Sequence, residues 1–274
     1  MITKTYKTYL IGGTAGVLSL MAVILTPESA AAATVPLGTA GSFAVLGSST
    51  VTNTGATTIY GNVGVYPGSA ITGVETISIT GGNIHLGNAV AQQAHTDATT
   101  AYNLLQGLSV TSNLTGQDMG SFSLPPGVYK YDSSAQLTGP LTLNFAGVSN
   151  VDYVFQIGST LTTASGSSVN IQNGNSTNHV FFQVGSSATL GTGTAFAGNI
   201  LALQSITLAT GATILDGSAL ALTGAVTMDN NTINVSAVPI PGTILLFGTA
   251  LLGLAASGWS RMKLDGAQHS AVST

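Results

Sequence analysis

The chain of 274 residues contains no cysteine. It therefore cannot form disulfides, and it cannot bind iron–sulfur clusters or zinc through thiolates. A domain of this size can do without covalent cross-links when its hydrophobic core is long and continuous. We expect the fold to be held by packing and backbone hydrogen bonds alone.

Charge is also scarce, since charged residues make up only 5% of the chain, against about a quarter in an average protein. Between Thr34 and Pro241 the acidic residues are Glu75, Asp97, Asp118, Asp132, Asp152, Asp216 and Asp229. The same stretch has one basic residue, Lys130. A surface with a single cation cannot neutralise a run of phosphates, so the sequence argues against nucleic-acid binding.

The acidic and histidine residues form no catalytic or metal-binding pattern. Glycoside cleavage needs paired carboxylates, whereas four aspartates occupy separate turn-like places: Asp132, Asp152, Asp216 and Asp229. His85, His95 and His179 lack the H-x-x-H or H-E-x-x-H spacing of metal sites. No serine lies in a G-x-S-x-G setting. We therefore predict no enzyme activity, no catalytic residue, no metal site and no cofactor.

The first 33 residues have the order of a secretory signal peptide. Lys4 and Lys7 precede an apolar run from about Tyr9 to Leu25, and four alanines end at Ala33. A small-residue tract of this kind is typical of a signal-peptidase site, so we expect cleavage after Ala33. Cleavage would release the protein to the cell surface or the medium. An uncleaved N-terminal anchor is the alternative.

One short sequence pattern recurs four times between Ser159 and Asn234. In each copy an apolar residue flanks a threonine, a small turn follows, and an apolar residue resumes. The copies are residues 161–169, 188–196, 206–214 and 226–233. Their threonines are 27, 18 and 20 residues apart: Thr162, Thr189, Thr207 and Thr227. Such repetition is typical of architectures in which each copy adds one layer to a continuous core.

Short strands are predicted for residues 35–76 and 128–234, because apolar residues alternate there with Thr, Ser and Gly between frequent turn signals. Between these regions an apolar stripe has helical spacing: Val90, Ala94, Ala98, Ala101 and Leu105. It predicts a helix over about residues 88–105 that packs outside the strands. Residues 108–124 are predicted to be a loop. Residues 34–237 would then form one mainly β domain.

Several long motifs occur in order along this domain. They are Leu37–Gly47 (LGTAGSFAVLG), Gly61–Gly73 (GNVGVYPGSAITG), Pro126–Tyr129, Val154–Gly158, Phe182–Gly185 and Gly198–Leu201. Together they resemble the microbial ice-binding protein family. The resemblance implies an irregular right-handed β-solenoid (β-helix) of triangular section, with one long α-helix packed alongside. It also implies a flat face that adsorbs to an ice crystal surface.

Residues 238–263 contain a Pro-x-Pro break, an uncharged apolar run and a basic pair. This order resembles a PEP-CTERM sorting signal, which implies cleavage near Pro239 to Gly242 by a membrane protease of the exosortase type. Two features depart from that pattern. Ile240 stands where the type motif has Glu, and a tail of 11 residues, 264–274, continues beyond the basic pair. A plain membrane anchor is the alternative.

Two surfaces of the repeats are candidates for contact with ice. The first is the central threonine column: Thr52, Thr162, Thr189, Thr207 and Thr227. The second combines each turn with the strand after it: Thr54, Thr57, Ser165, Ser168, Thr192, Thr194, Thr210, Thr213, Asn230 and Thr232. Family members are similar in carrying Thr-Ala/Gly-x-Thr/Asn at their ice face. Thr54-Gly-Ala-Thr57 and Thr210-Gly-Ala-Thr213 match this motif, so the resemblance favours the second surface.

A regular array of threonines suits contact with ordered water. Each Thr presents a stiff β-branched methyl group beside a hydroxyl, and a scarcity of charge leaves the nearby water undisturbed. We predict an exported, monomeric ice-binding protein that inhibits ice growth or recrystallisation. The alternative is a cell-surface or matrix adhesin that binds polysaccharide or neighbouring cells through the same hydroxyl-rich face.

Overall fold

The computed structural model describes residues 34–120 and 122–235, which belong to one compact unit. The predicted signal peptide (1–33), sorting segment (238–263) and tail (264–274) lie outside these residues. In the described part of the chain, no helix is long and apolar enough to cross a membrane. Parallel sheets and one α-helix make up the structure, so the prediction of a mainly β domain with one helix is confirmed.

The described strands form three sheets, and every strand pair is parallel. Sheet A contains β1 (Phe43–Gly47), β4 (Asn62–Val65), β7 (Ile84–Leu86), β8 (Ser112–Asn113), β10 (Gly127–Tyr131), β13 (Asp152–Ile157), β16 (His179–Val184), β19 (Asn199–Ala202) and β22 (Ala219–Ala221). Sheet B contains β2 (Thr50–Thr54), β5 (Ala70–Thr72), β11 (Ala135–Leu137), β14 (Leu161–Thr163), β17 (Ala188–Leu190), β20 (Ile206–Leu208) and β23 (Val226–Asp229). Sheet C contains β3 (Thr57–Tyr60), β6 (Ile77–Thr80), β9 (Ser123–Leu124), β12 (Pro140–Asn144), β15 (Ser168–Gln172), β18 (Ala195–Ala197), β21 (Thr213–Leu215) and β24 (Thr232–Asn234). Two short 3-10 helices, Gly38–Ser42 and Val74–Thr76, complete the regular structure.

From β1 to β6 and from β10 to β24 the chain visits the sheets in the order A, B, C, and we call one such passage a circuit. The first circuit is β1–β3, and the last, β22–β24, lies directly against it in all three sheets. Val45 pairs with Ala219, Thr52 with Thr227, and Ile59 with Ile233. The beginning and the end of the described chain therefore meet inside one continuous stack of circuits.

Inward-facing side chains of the three sheets form one apolar core. Its centre includes aromatic rings stacked from circuit to circuit. The rings of Phe155 and Phe182 are 4.8 Å apart and nearly parallel, at 11°. Tyr129 stacks on Phe155 at 5.6 Å, and Phe196 contacts Phe182 at 4.7 Å. Because Tyr129, Phe155 and Phe182 occupy paired positions on neighbouring parallel strands, which lie about 4.8 Å apart, these three rings support the register of the stack.

The helix α1 (Ala89–Gln106) confirms the prediction from helical spacing and lies against sheet A. Asn88 caps its start, since the Asn88 side chain accepts a hydrogen bond from the Ala91 N–H at 3.0 Å. The buried side chains are Ala91, Ala94, Ala98, Ala101, Tyr102 and Leu105. The prediction that Val90 belongs to this stripe is wrong, because Val90 is 48% exposed and Ala91 takes its place.

The predicted loop over residues 108–124 contains two short strands, β8 and β9, which extend sheets A and C at one end of the stack. Leu114 and Met119 from this segment are buried against the core. Strands of two residues are too short to show an alternation that could be read from sequence. The segment therefore covers the end of the stack with both strands and buried side chains.

Asp97 connects the helix to the start of the described chain. Its Oδ2 accepts hydrogen bonds from the Thr39 N–H at 2.7 Å and from the Thr39 hydroxyl at 2.6 Å. The Gln93 amide donates to Oδ1 at 2.8 Å. Burial raises the pKa of the Asp97 carboxyl, but the hydrogen bonds from Thr39 and Gln93 outweigh burial, and the pKa lies below its ordinary value.

We expect Asp97→Ala to lower the free energy of unfolding by about 1 kcal/mol at neutral pH, because hydrogen bonds to a largely solvated carboxylate are modest. A depressed folded pKa stabilises the fold above the unfolded value of about 3.9 and loses that effect as pH falls through the folded value. Urea denaturation at neutral pH and near pH 2.5 measures both. A difference that stays constant across this pH range would contradict the role of the carboxylate.

Candidate functional site

Sheet A cannot present a broad surface to a large flat partner, because α1 covers it. Outward-facing side chains of this sheet are buried in a second apolar cluster with the helix: Phe43, Leu46, Val128, Val154, Phe181, Leu201 and Leu220. The alanines at 94, 98 and 101 allow the helix to approach closely. The outward faces of sheets B and C are the remaining candidates.

The central column of sheet B is a continuous row of six threonines on neighbouring strands, with Gln136 on the seventh strand. Strand pairing aligns Thr72, Thr52, Thr227, Thr207, Thr189, Thr162 and Gln136 in this order. Each of these side chains is exposed or half-buried. The structure thus brings together all five members of the first predicted surface and adds Thr72, which sequence spacing did not identify.

Two further columns flank the central one, at two positions before and two positions after each of its residues; most of these flanking residues lie just outside the short strands. The column before it contains Thr50, Ala70, Ser134, Thr160, Ser187, Ser205 and Ala225, and the column after it contains Thr54, Thr138, Ala164, Gly191, Ala209 and Asp229. We call the three columns the sheet B face. Neighbouring positions lie about 4.8 Å apart between strands and about 6.6 Å apart along a strand. Gln136, on the edge strand β11, is the one side chain of these columns that is clearly longer than threonine, so the centre of the face carries no bulky projection.

The threonine hydroxyls of the central column point to solvent. Among the described residues, these six hydroxyls have no hydrogen-bond partner within the protein. Their β-branched side chains are stiff about χ1, and the inward neighbours Leu161, Ile206 and Val226 are fully buried. The hydroxyls and methyl groups are therefore held on a rigid base and remain free to contact water.

The turns after sheet B repeat one backbone conformation from circuit to circuit. Gly55, Gly166, Gly193 and Gly211 have φ values of 70°, 72°, 65° and 72°, and Asn230 takes the same place at 54°. Glycine adopts this left-handed region at little cost, and asparagine tolerates it better than most residues. Successive turns are hydrogen-bonded to each other, for example Gly193 N–H to Thr210 O at 3.0 Å. This regular turn keeps the sheet B strands in the same alignment in each circuit.

The second predicted surface is not one surface. Thr54 ends a strand of sheet B, and four residues lie at the turns: Ser165, Thr192, Thr210 and Asn230. Ser168, Thr213 and Thr232 face outward on sheet C and are half-buried. Strand pairing aligns Ser168 with Ala195, and Ala195 with Thr213. The outward column of sheet C therefore has alanine where the prediction placed Thr194.

Two members of the second surface lie inside the protein, so their predicted exposure is wrong. Thr194 is 0% exposed, and its hydroxyl bonds to the Thr163 hydroxyl at 2.8 Å. Thr57 is 1% exposed, and its hydroxyl accepts the Asn231 N–H at 3.1 Å. The physical reason is the alternation of a strand, since a shift of one residue exchanges the inward and outward faces.

The acidic side chains are dispersed, and the described residues include no group of three His, Asp or Glu side chains that could hold a metal ion. Asp229 is the one charged residue of the sheet B face. It lies at the edge, where its carboxylate accepts a hydrogen bond from the Thr210 hydroxyl. Lys130 forms an ion pair with Asp132 at 2.7 Å, away from this face. The sheet B face is thus nearly free of charge.

Comparison with known protein families identifies a match to the ice-binding-like family over residues 45–234. The chain belongs to this family. The matched region begins in β1 and ends in β24, so it includes every strand of the sheet B face. In this ice-binding-like chain, the motif Thr-Gly-Ala-Thr, on which the prediction of the second surface was based, forms the turn between sheets B and C.

Relatives of the family share most of the described chain. An ice-binding protein of Nostoc sp. (strain HG1) is 56% identical over 207 residues, which cover 76% of this chain and 76% of the relative. An ice-binding protein of Colwellia sp is 32% identical over 217 residues, covering 73% and 83%. The crystal structure of an ice-binding protein from an Antarctic biological consortium superposes with a TM-score of 0.72 at 40% identity, covering 77% of this chain and 96% of that one.

Proposed function

We propose that the protein adsorbs to ice through the sheet B face and thereby slows ice growth and recrystallisation. One observation carries this assignment: six aligned threonine hydroxyls lie on six of the seven strands of sheet B, and among the described residues they have no hydrogen-bond partner. Relatives named as ice-binding proteins support the activity. The exposure of the central threonine column supports the sheet B face as the surface that contacts ice.

The chemistry of the face suits an ordered water layer. Methyl groups favour water that is structured over apolar surface, and the hydroxyls beside them fix where that water lies. A rigid, preorganised face loses little conformational entropy when it adsorbs, so many weak contacts can add up. Charged groups would order water around themselves, and the single carboxylate, Asp229, is at the edge and bonded to Thr210.

The architecture and the ends of the chain complete the proposal. The repeated circuits form an irregular right-handed β-solenoid of triangular section, with sheets A, B and C as its three sides. The protein acts as a monomer outside the cell, after signal-peptide removal. The C-terminal segment is either processed by an exosortase-type protease or kept as a membrane anchor. The order of charges and apolar runs at both ends supports this route.

The polysaccharide-binding alternative receives no support from the named relatives, and the sheet B face contains no aromatic side chain on which a sugar ring could stack. A direct test is to observe ice in a dilute solution of the protein. We expect shaped crystals and slower recrystallisation than in a solution of a non-binding protein of equal concentration. Unchanged ice together with measurable binding to insoluble polysaccharide would contradict the proposal.

A further inference from the structure

Asp152, the first residue of β13, is a carboxylate buried inside the protein, at 0% exposure. Its Oδ1 accepts the His179 backbone N–H at 3.0 Å and lies 3.2 Å from the His179 ring Nδ1. Its Oδ2 accepts the Val35 N–H at 3.3 Å. An ionised carboxylate without a compensating cation is costly to bury. A cationic group close to Asp152 would therefore stabilise the fold.

The described chain offers Asp152 little positive charge. Its one lysine, Lys130, is paired with Asp132. His179 carries a charge only when it is protonated, and its side chain is 39% exposed. A second carboxylate, Asp216, lines the same surface groove as His179. A basic group created next to Val35 would lie close to Asp152 in space, because the Val35 N–H donates to its carboxylate.

We propose that Asp152 is the acceptor for the α-ammonium group of Thr34, which signal-peptide cleavage after Ala33 creates. The structure supports this through the hydrogen bond from the Val35 N–H to Asp152, which holds the residue after Thr34 at the carboxylate. Cleavage hydrolyses the Ala33–Thr34 peptide bond with one water molecule, leaving a carboxylate on Ala33 and an ammonium on Thr34. The inference rests on the expected cleavage site and is independent of ice binding.

Covalent geometry allows the contact. The nitrogen atoms of adjacent residues are separated by at most about 3.7 Å, and the Val35 nitrogen is 3.3 Å from Oδ2. Rotation about the Thr34 backbone can therefore bring its ammonium against the same oxygen. Val35 is 6% exposed and packs in the cluster between α1 and sheet A. The chain start is thus fixed by packing, and cleavage would add an ion pair that stabilises this attachment.

The test compares chains 34–274 that differ only at the N-terminal nitrogen. One carries a free Thr34 amine and the other an enzymatically acetylated one, and both are melted near pH 6.5, where an α-amino group is mostly protonated, since its ordinary pKa is about 7.7–8.0. We expect acetylation to lower Tm by about 4 °C. In Asp152→Asn the same acetylation should leave Tm unchanged. In Glu75→Gln, which removes an exposed carboxylate, it should again cause the full decrease.

The exported protein provides a second measurement, because its intact mass identifies the first residue. A mature chain that begins at Thr34 supports the proposal, and one that begins elsewhere overturns it. Equal Tm values for the free and acetylated wild-type chains would also overturn it, whether or not Asp152→Asn folds. An equal decrease in the Asp152→Asn and Glu75→Gln backgrounds would assign the effect to general charge and overturn the pairing. Ice activity enters none of these outcomes.

Discussion

Replacing Thr207 with Tyr is expected to remove most of the ice activity. Thr207 lies mid-sheet in the central column, between Thr189 and Thr227, and is exposed. A tyrosine ring there would project above a face built of small side chains and hold it away from the ice. We expect adsorption to weaken at least roughly tenfold, equivalent to about 1.4 kcal/mol. Freezing-point hysteresis, measured against protein concentration, reports the loss.

The same substitution should leave the fold intact, because an exposed strand residue normally changes stability by no more than about 0.5 kcal/mol. Tyrosine also has a high strand propensity. A thermal melt by circular dichroism therefore separates loss of the surface from loss of the fold. Thr207→Tyr protein with wild-type Tm and wild-type hysteresis would show that ice does not contact this column.

The largest loss of stability is expected from Phe182→Ala. Phe182 is fully buried, stacks on Phe155 at 4.8 Å and makes a tilted contact with Phe196 at 4.7 Å. Truncation of a buried phenylalanine removes its apolar burial and leaves a cavity, at a cost of about 3–5 kcal/mol. For a domain of this size Tm should fall by about 10 °C. Chemical and thermal denaturation measure the change.

Leu203→Ala is the matched control, since Leu203 follows β19 of the same sheet but is 38% exposed. It should cost far less than Phe182→Ala. Below the melting transition, Phe182→Ala protein should still adsorb to ice, because the substitution leaves every residue of the sheet B face in place. Equal stability of the two variants would contradict the assigned role of the aromatic stack.

Much of the architecture could be predicted from sequence because the repeats carry two signals at once. An apolar residue on each side of a threonine marks a strand with one buried face, as in Ile206-Thr-Leu208. A glycine a few residues later marks a turn with positive φ, as at Gly166. The recurrence of both signals predicts stacked layers, and strand pairing confirms that Thr162, Thr189, Thr207 and Thr227 are aligned.

The wrong predictions concern residues next to turns, where a shift of one residue decides whether a side chain faces inward or outward. Thr194 follows the turn glycine directly and faces inward, whereas Ala195 faces outward. At Thr57 one additional residue after the turn produces the same inversion, because Thr58 pairs with Thr232. The local sequence does not reveal such a one-residue shift, because Ser, Thr and Ala occur on both the buried and the exposed face of a strand. The pairing of the last circuit with the first, through Thr52 and Thr227, depends on the three-dimensional path and has no local signal.

The most direct test of the sheet B face compares Thr207→Tyr with Thr213→Tyr at equal concentration. Both change an outward threonine to the same ring, but Thr213 belongs to sheet C and to the second predicted surface. The measurement is freezing-point hysteresis, with equal Tm required of both proteins. Adsorption through sheet B predicts a large loss for Thr207→Tyr and near wild-type activity for Thr213→Tyr. The reverse order, or equal losses, would contradict it.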